Sequence, residues 1–115
     1  MKTKKLKVYE ISDQVSATYD SVGTYNVGSL NEITYGELVE ILGQPTFSTR
    51  SYDEKVQKEW VVDFDGDIYT IYDWKTYDER YTMEELTNWS VGGKTSAIDF
   101  IEYIESKQHK SWAIT

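Results

Sequence analysis

Apolar positions recur along this chain with two different periods. The clearest helical one begins at Thr34, where Thr34-x-x-Glu37 has the spacing of a capping box, and Ile33 with Leu38 occupies the two positions of a hydrophobic staple. Leu38, Ile41 and Leu42 make the apolar stripe, Gly43 stands where a left-handed cap is expected, and Pro45 prevents continuation, so the helix is expected to end near Leu42. Further on the period changes to two. The stretch Val56 to Lys75 holds two β-prone runs joined at Asp65-Gly66, the preferred dipeptide of a two-residue type I′ turn. With that turn, Phe64 faces Asp67, Val62 faces Tyr69, Trp60 faces Ile71 and Lys58 faces Asp73. One face then collects Trp60, Val62, Phe64, Tyr69 and Ile71 and is the expected core. The other carries Gln57, Glu59, Val61 and Asp63 with Ile68, Thr70, Tyr72 and Trp74.

The remaining elements are shorter. Alternation at Val15, Ala17 and Tyr19 suggests one or two short strands between residues 8 and 29. Thr82-x-x-Glu85 predicts one or two helical turns through Leu86, and Asn88 to Val91 a short strand ending at Gly92-Gly93. Ser96-x-x-Asp99 opens a last helix, with Ala97, Ile98, Ile101 and Ile104 along one side up to about Lys107. Residues 1–7 are expected to be a loose basic start and 108–115 a loose tail. The sum is one α+β domain over 1–115: an antiparallel sheet of about four strands with two main helices packed on one face.

Composition removes whole classes of chemistry. There is no cysteine, so disulfides, thiolate metal sites and cysteine nucleophiles are excluded and a reducing cytoplasm suits the chain. His109 is the lone histidine and lies in a polar tail, which argues against a Ser-His-Asp set or a histidine-rich metal site. Nothing approaches the roughly 20 apolar residues of a membrane span. The net charge is −8, yet four of the twelve basic residues fall in the first seven positions, and none lies between Val8 and Thr49. Such a surface repels nucleic acid and favours a basic partner, although net negative charge also serves solubility alone.

Two short motifs invite a ligand. Asp63-Phe-Asp-Gly-Asp67 is acidic enough for calcium, but an EF-hand loop starting at Asp63 needs glycine at position 68 and glutamate at 74, where Ile68 and Trp74 stand. Gly92-Gly93-Lys94-Thr95-Ser96 looks like the end of a phosphate loop, while the glycine required upstream falls on Asn88. What survives is a weaker expectation: Gly93, Lys94 and Thr95 holding one phosphate at the start of the last helix. Catalytic pairs are not marked out, and no enzyme and no cofactor is expected.

Aromatics crowd the second strand of the hairpin: Tyr69, Tyr72, Trp74, Tyr77 and Tyr81, with Trp89 beyond. Tyr and Trp beside acids are typical of protein-binding surfaces. Tyr72, Trp74 and Tyr77 are the expected anchors, with Glu59, Asp73 and Asp78 supplying charge. Two readings of this second face stay open, binding surface and covered core; uncovered, it would also be a natural surface for self-association.

Three strings resemble, in order and spacing, a group of small uncharacterised proteins encoded in bacteriophage genomes: Gly28-Ser-Leu-Asn-Glu-Ile-Thr-Tyr-Gly-Glu-Leu with the ending Leu42-Gly-Gln-Pro, Thr70-Ile-Tyr-Asp-Trp-Lys75, and Trp89-Ser-Val-Gly-Gly93. The resemblance covers roughly residues 28 to 104 and implies a setting, since small accessory phage proteins often counter host defences. The capped helix followed by a hairpin is also similar to a unit of β-lactamase-inhibitor-like folds, an analogy of fold only. The leading expectation is a non-enzymatic phage accessory protein that binds and inhibits a host defence protein in the host cytoplasm. The alternatives are a binder that sequesters a nucleotide signal and an acidic DNA mimic. None requires a membrane or direct contact with nucleic acid.

Overall fold

The hairpin forms around the turn that its dipeptide demands. In the computed structural model, which describes residues 5–48, 56–74 and 87–112, Asp65 and Gly66 both have positive φ, 54° and 97°; the side chains of Val56, Gln57, Trp74 and residues 109–112 lie outside that description. Strands Val56–Phe64 and Asp67–Trp74 pair with the expected register from Phe64↔Asp67 to Trp60↔Ile71. The register then shifts at a bulge between Val56 and Glu59. Asp73 fills the gap in the ladder: its carboxylate accepts the Lys58 N–H at 2.7 Å and is fully buried.

Five strands, not four, make the sheet. In chain order they are β1 (Leu6–Val8), β2 (Tyr25–Leu30), β3 and β4 (the hairpin) and β5 (Trp89–Gly93), arranged β1-β3-β4-β5-β2 with every pairing antiparallel. The extra strand comes from the segment expected to be a loose start, where Leu6 and Val8 pair with Phe64 and Val62. Helices α2 (Tyr35–Leu42) and α3 (Ile98–Trp112) pack on the expected face, over Trp60, Val62, Phe64, Tyr69 and Ile71. The α+β class and the two helices on one face therefore hold. The short helix expected at Thr82 lies outside the described residues.

Two indoles hold α2 from both ends. Trp89 donates to the Ile33 carbonyl ahead of the helix and Trp60 to the Gly43 carbonyl behind it, each at 2.9 Å, and the rings meet edge to face. The capping box closes as its spacing requires, with Thr34 Oγ1 accepting from Glu37 N–H and Glu37 Oε1 from Thr34 N–H. Helix α3 departs from expectation in two places. Ala97, Phe100 and Ile104 are buried while Ile98 is exposed, because 97, 100 and 104 share a helical face that 98 flanks by about 100°. The tail is not loose at its start either: the helix runs to Trp112, and Gln108 donates to the Glu32 carbonyl and to Glu37.

Within residues 8–29 one strand, β2, forms as expected, and the largest departure lies ahead of it, at residues 11–20. Where alternation suggested strands, the chain makes a 3-10 turn, Ile11–Asp13, followed by helix α1, Gln14–Asp20. Ala17 is fully buried whereas Val15 and Tyr19 point outward, so the real period is i, i+4 and not two. Thr46 ties the start of this helix to Tyr9 and to strand β3. The fully buried Thr46 hydroxyl donates to the Tyr9 carbonyl at 2.6 Å and accepts the Val61 N–H at 3.0 Å, while the Thr46 carbonyl accepts from Gln14 Nε2. Thr46→Val keeps the shape and leaves both backbone groups unpaired. It is expected to cost about 2 kcal/mol in urea denaturation, and an unchanged midpoint would remove Thr46 from this role.

Candidate functional site

Apolar side chains that a fold leaves in water, in a row, are uncommon and mark interaction surfaces. Along the 3-10 turn, α1 and the turn that follows, Ile11, Val15, Tyr19 and Val22 are 59% to 86% exposed. Val15 and Tyr19, four residues apart within α1, share one helical face, with Ile11 preceding and Val22 following them along the chain. Tyr25, at the start of the edge strand β2, is exposed as well. Ala17 of the same helix is fully buried, so the stripe is what remains in water when α1 has already packed.

Acids flank this stripe. Glu10 and Asp20 are exposed and Asp13 half-buried. The Tyr9 hydroxyl donates to Asp20 Oδ2 at 2.7 Å. That hydrogen bond, then burial, then the charges of Asp20, Asp63 and Asp13, push the phenol up to about 12. Of the basic residues, Lys7 stands opposite Asp63 in the β1–β3 register, and Lys94 reaches the far end of the stripe, its Cε 3.6 Å from where a Cβ on Gly23 would lie.

A cleft adjoins the near end. About 470 Å³ in volume, it lies between the 3-10 turn and the C-terminal end of α2 and is lined by Val8, Tyr9, Glu10, Ile11, Ser12, Leu42, Gly43 and Gln44. Ile11 belongs to both the cleft and the stripe.

The residues expected from sequence to form a binding surface are placed otherwise. Asp73 is fully buried and holds the β3 bulge, so it supplies no surface charge; that expectation is corrected. Glu59 is half-buried on the second face, and burial, reinforced by the charge of Asp73, pushes its carboxyl up to about 7. Tyr72 is half-buried beside it, opposite Glu59 in the register. The side chain of Trp74 and all of Tyr77 and Asp78 lie outside the described residues. Tyr69 and Trp89 are core: Tyr69 stacks on Phe100 with centroids 4.7 Å apart and donates to the Ser96 carbonyl at 2.6 Å.

The phosphate expectation finds little support in the geometry. Gly93 is a buried residue of β5, in register with Tyr25 on one side and Tyr69 on the other. Lys94 and Thr95 are exposed, but the cavity at the start of α3 is lined by Asp65, Asp67 and Asp99 with Thr95 and Ser96, and Lys94 does not line it. Three carboxylates repel an anion there, and Asp67 and Asp99, after burial, help raise the Tyr69 phenol. Among the described residues no group of acids or histidines is arranged to hold a metal ion, and no helix is long and apolar enough to cross a membrane.

Sequence reading missed the α1 stripe, although Ile11-x3-Val15-x3-Tyr19 carried the signal. No protein-family model, curated protein or solved structure matches the chain.

Proposed function

We propose that this protein is a non-enzymatic binding module that docks a partner protein of basic surface on the stripe Ile11, Val15, Tyr19 and Val22. In the phage setting that its sequence strings imply, the partner is a host defence protein in the cytoplasm, inhibited by being occupied. The supporting observation is the stripe itself: a short helix buries one small residue, Ala17, and presents its large ones, Val15 and Tyr19, to water. A helix whose work ended with packing the domain would carry the reverse pattern. The acids around it select against nucleic acid and for basic partners.

The test compares three tagged proteins in pull-downs from host lysate at moderate salt: the wild type, Val15→Asp with Tyr19→Ser, and Tyr72→Ala with Trp74→Ala, each first shown to melt cooperatively. The wild type is expected to retain one stoichiometric protein. The α1 pair is expected to lose at least about tenfold in affinity for it, the effect of removing a central apolar anchor. A folded α1 variant that keeps the partner, with loss confined to Tyr72 and Trp74, would return the site to the hairpin. A nucleotide recovered in place of a protein would overturn the reading altogether.

A further inference from the structure

The α1 stripe ends at the cleft, and the two together describe one kind of occupant. Val8, Ile11 and Leu42 give the cleft apolar walls, Gly43 leaves its side open with nothing within 4 Å of its Cβ position, and among the described residues Glu10 is the charged one of the lining. Asp13 and Asp20 continue the negative charge along α1. A second copy of this chain docking through the same stripe would crowd Glu10, Asp13 and Asp20 against like charges, which costs affinity at an interface. A basic segment meets opposite charge at each of those positions.

Resting on the docking function proposed above, we propose that the partner presents a basic amphipathic helix, which lays its apolar face on the α1 stripe and inserts one large apolar side chain into the cleft between the 3-10 turn and α2. Interfaces gain most of their energy where a large side chain fills a pocket at the centre of a dry patch. Ile11 is the hinge of that arrangement, because the anchor that enters the cleft and the residues that lie along α1 both touch it. The charges then fix orientation and speed encounter rather than adding most of the affinity.

The experiment titrates the full chain with two synthetic peptides of about 20 residues, long enough for marginal helicity. Both carry Leu and Phe at every third and fourth position; one has Lys and Arg between them, the other Glu. Binding is followed by calorimetry and by amide shifts. The basic peptide is expected to bind, shifting Ile11, Ser12, Val15 and Gln44, with the acidic one at least about tenfold weaker. Ser12→Trp fills the cleft from an exposed position and should weaken the basic peptide by a similar factor, and Val15→Asp should abolish its binding. If Val15→Asp acts and Ser12→Trp does not, the cleft has no part and this inference fails while docking on α1 stands. Equal binding of both peptides, binding of neither, or a concentration-dependent dimer in sedimentation that Val15→Asp dissolves would each overturn it. Indifference of the bound basic peptide to both substitutions would remove α1 as well.

Discussion

At pH 8 the Glu59→Gln protein is expected to unfold at a higher temperature than the wild type, and at pH 4.5 the two are expected to be close. Glu59 sits on the second face, bridged to Phe47 on one side and opposite Tyr72 on the other, with the Asp73 charge nearby. Burial first, and that charge second, raise its carboxyl from the ordinary 4.5 to about 7. The sign follows from which state holds the proton more tightly. Because the folded-state value is the higher one, stability from this group is fully present below pH 4.5 and is lost as pH rises through 7. A shift of that size corresponds to about 3 kcal/mol, and the residual exposure of the side chain brings it nearer 2. Glutamine keeps the shape and removes the charge, so at pH 8 it should recover that amount, roughly 5–10 °C in Tm for a domain of this size. Glu105→Gln, which removes the same charge from an exposed position on α3, controls for net charge. Stability profiles of wild type and Glu59→Gln that superimpose from pH 5 to 8 would show that the carboxyl is better solvated than its position implies.

The parts of this fold that were legible in the sequence are those where a local rule and the global packing agree. The Asp65-Gly66 turn set the hairpin register, alternation chose its buried face, and the Thr34 box with Gly43 and Pro45 bounded α2. Each needs only neighbours in sequence to be satisfied. The misreadings share the opposite property. At residues 14–20 the helix hides a small alanine and exposes valine and tyrosine, so a rule that assigns large apolar side chains to the interior reads the wrong period. Leu6 and Lys7 read as part of a loose basic start until β3 offers an edge for Leu6–Val8 to pair with. Asp73 reads as a surface charge, but the bulge at Val56–Glu59 gives its buried carboxylate the Lys58 N–H to accept.

The same division holds for the candidate site. An excess of tyrosine and tryptophan does report that aromatics matter here, but Trp60, Trp89 and Tyr69 serve the core, where their polar ends find carbonyl partners. The site proposed on α1 uses two residues, Val15 and Tyr19, that composition cannot distinguish from core. Its legible part is the charge: the absence of Lys and Arg from Val8 to Thr49 already marks the neighbourhood as one that a basic partner would approach.

Gly92→Ala is expected to be among the most damaging single substitutions in the protein, and Thr70→Ala is expected to relieve it. Gly92 stands in β5 between Thr70 of β4 and Asn26 of β2. A Cβ built there overlaps the Thr70 hydroxyl, with Tyr72 Cε1 at 3.5 Å and the Tyr25 carbonyl at 3.7 Å. Thr70 is itself buried. Overpacking of this kind costs about 3 kcal/mol. Thr70→Ala deletes the overlapping oxygen and leaves only ordinary contacts, so the double variant should recover about 1–2 kcal/mol of that loss, a coupling that distant sites do not show. Chemical denaturation of the four proteins in the cycle measures it directly. Additive costs would mean that the strand shifts as a whole and the hydroxyl is not the obstacle. A coupled result explains the Gly-Gly pair by packing, since a Cβ at Gly93 would also meet the Tyr69 ring at 2.8 Å, so that neither glycine needs a phosphate to account for it.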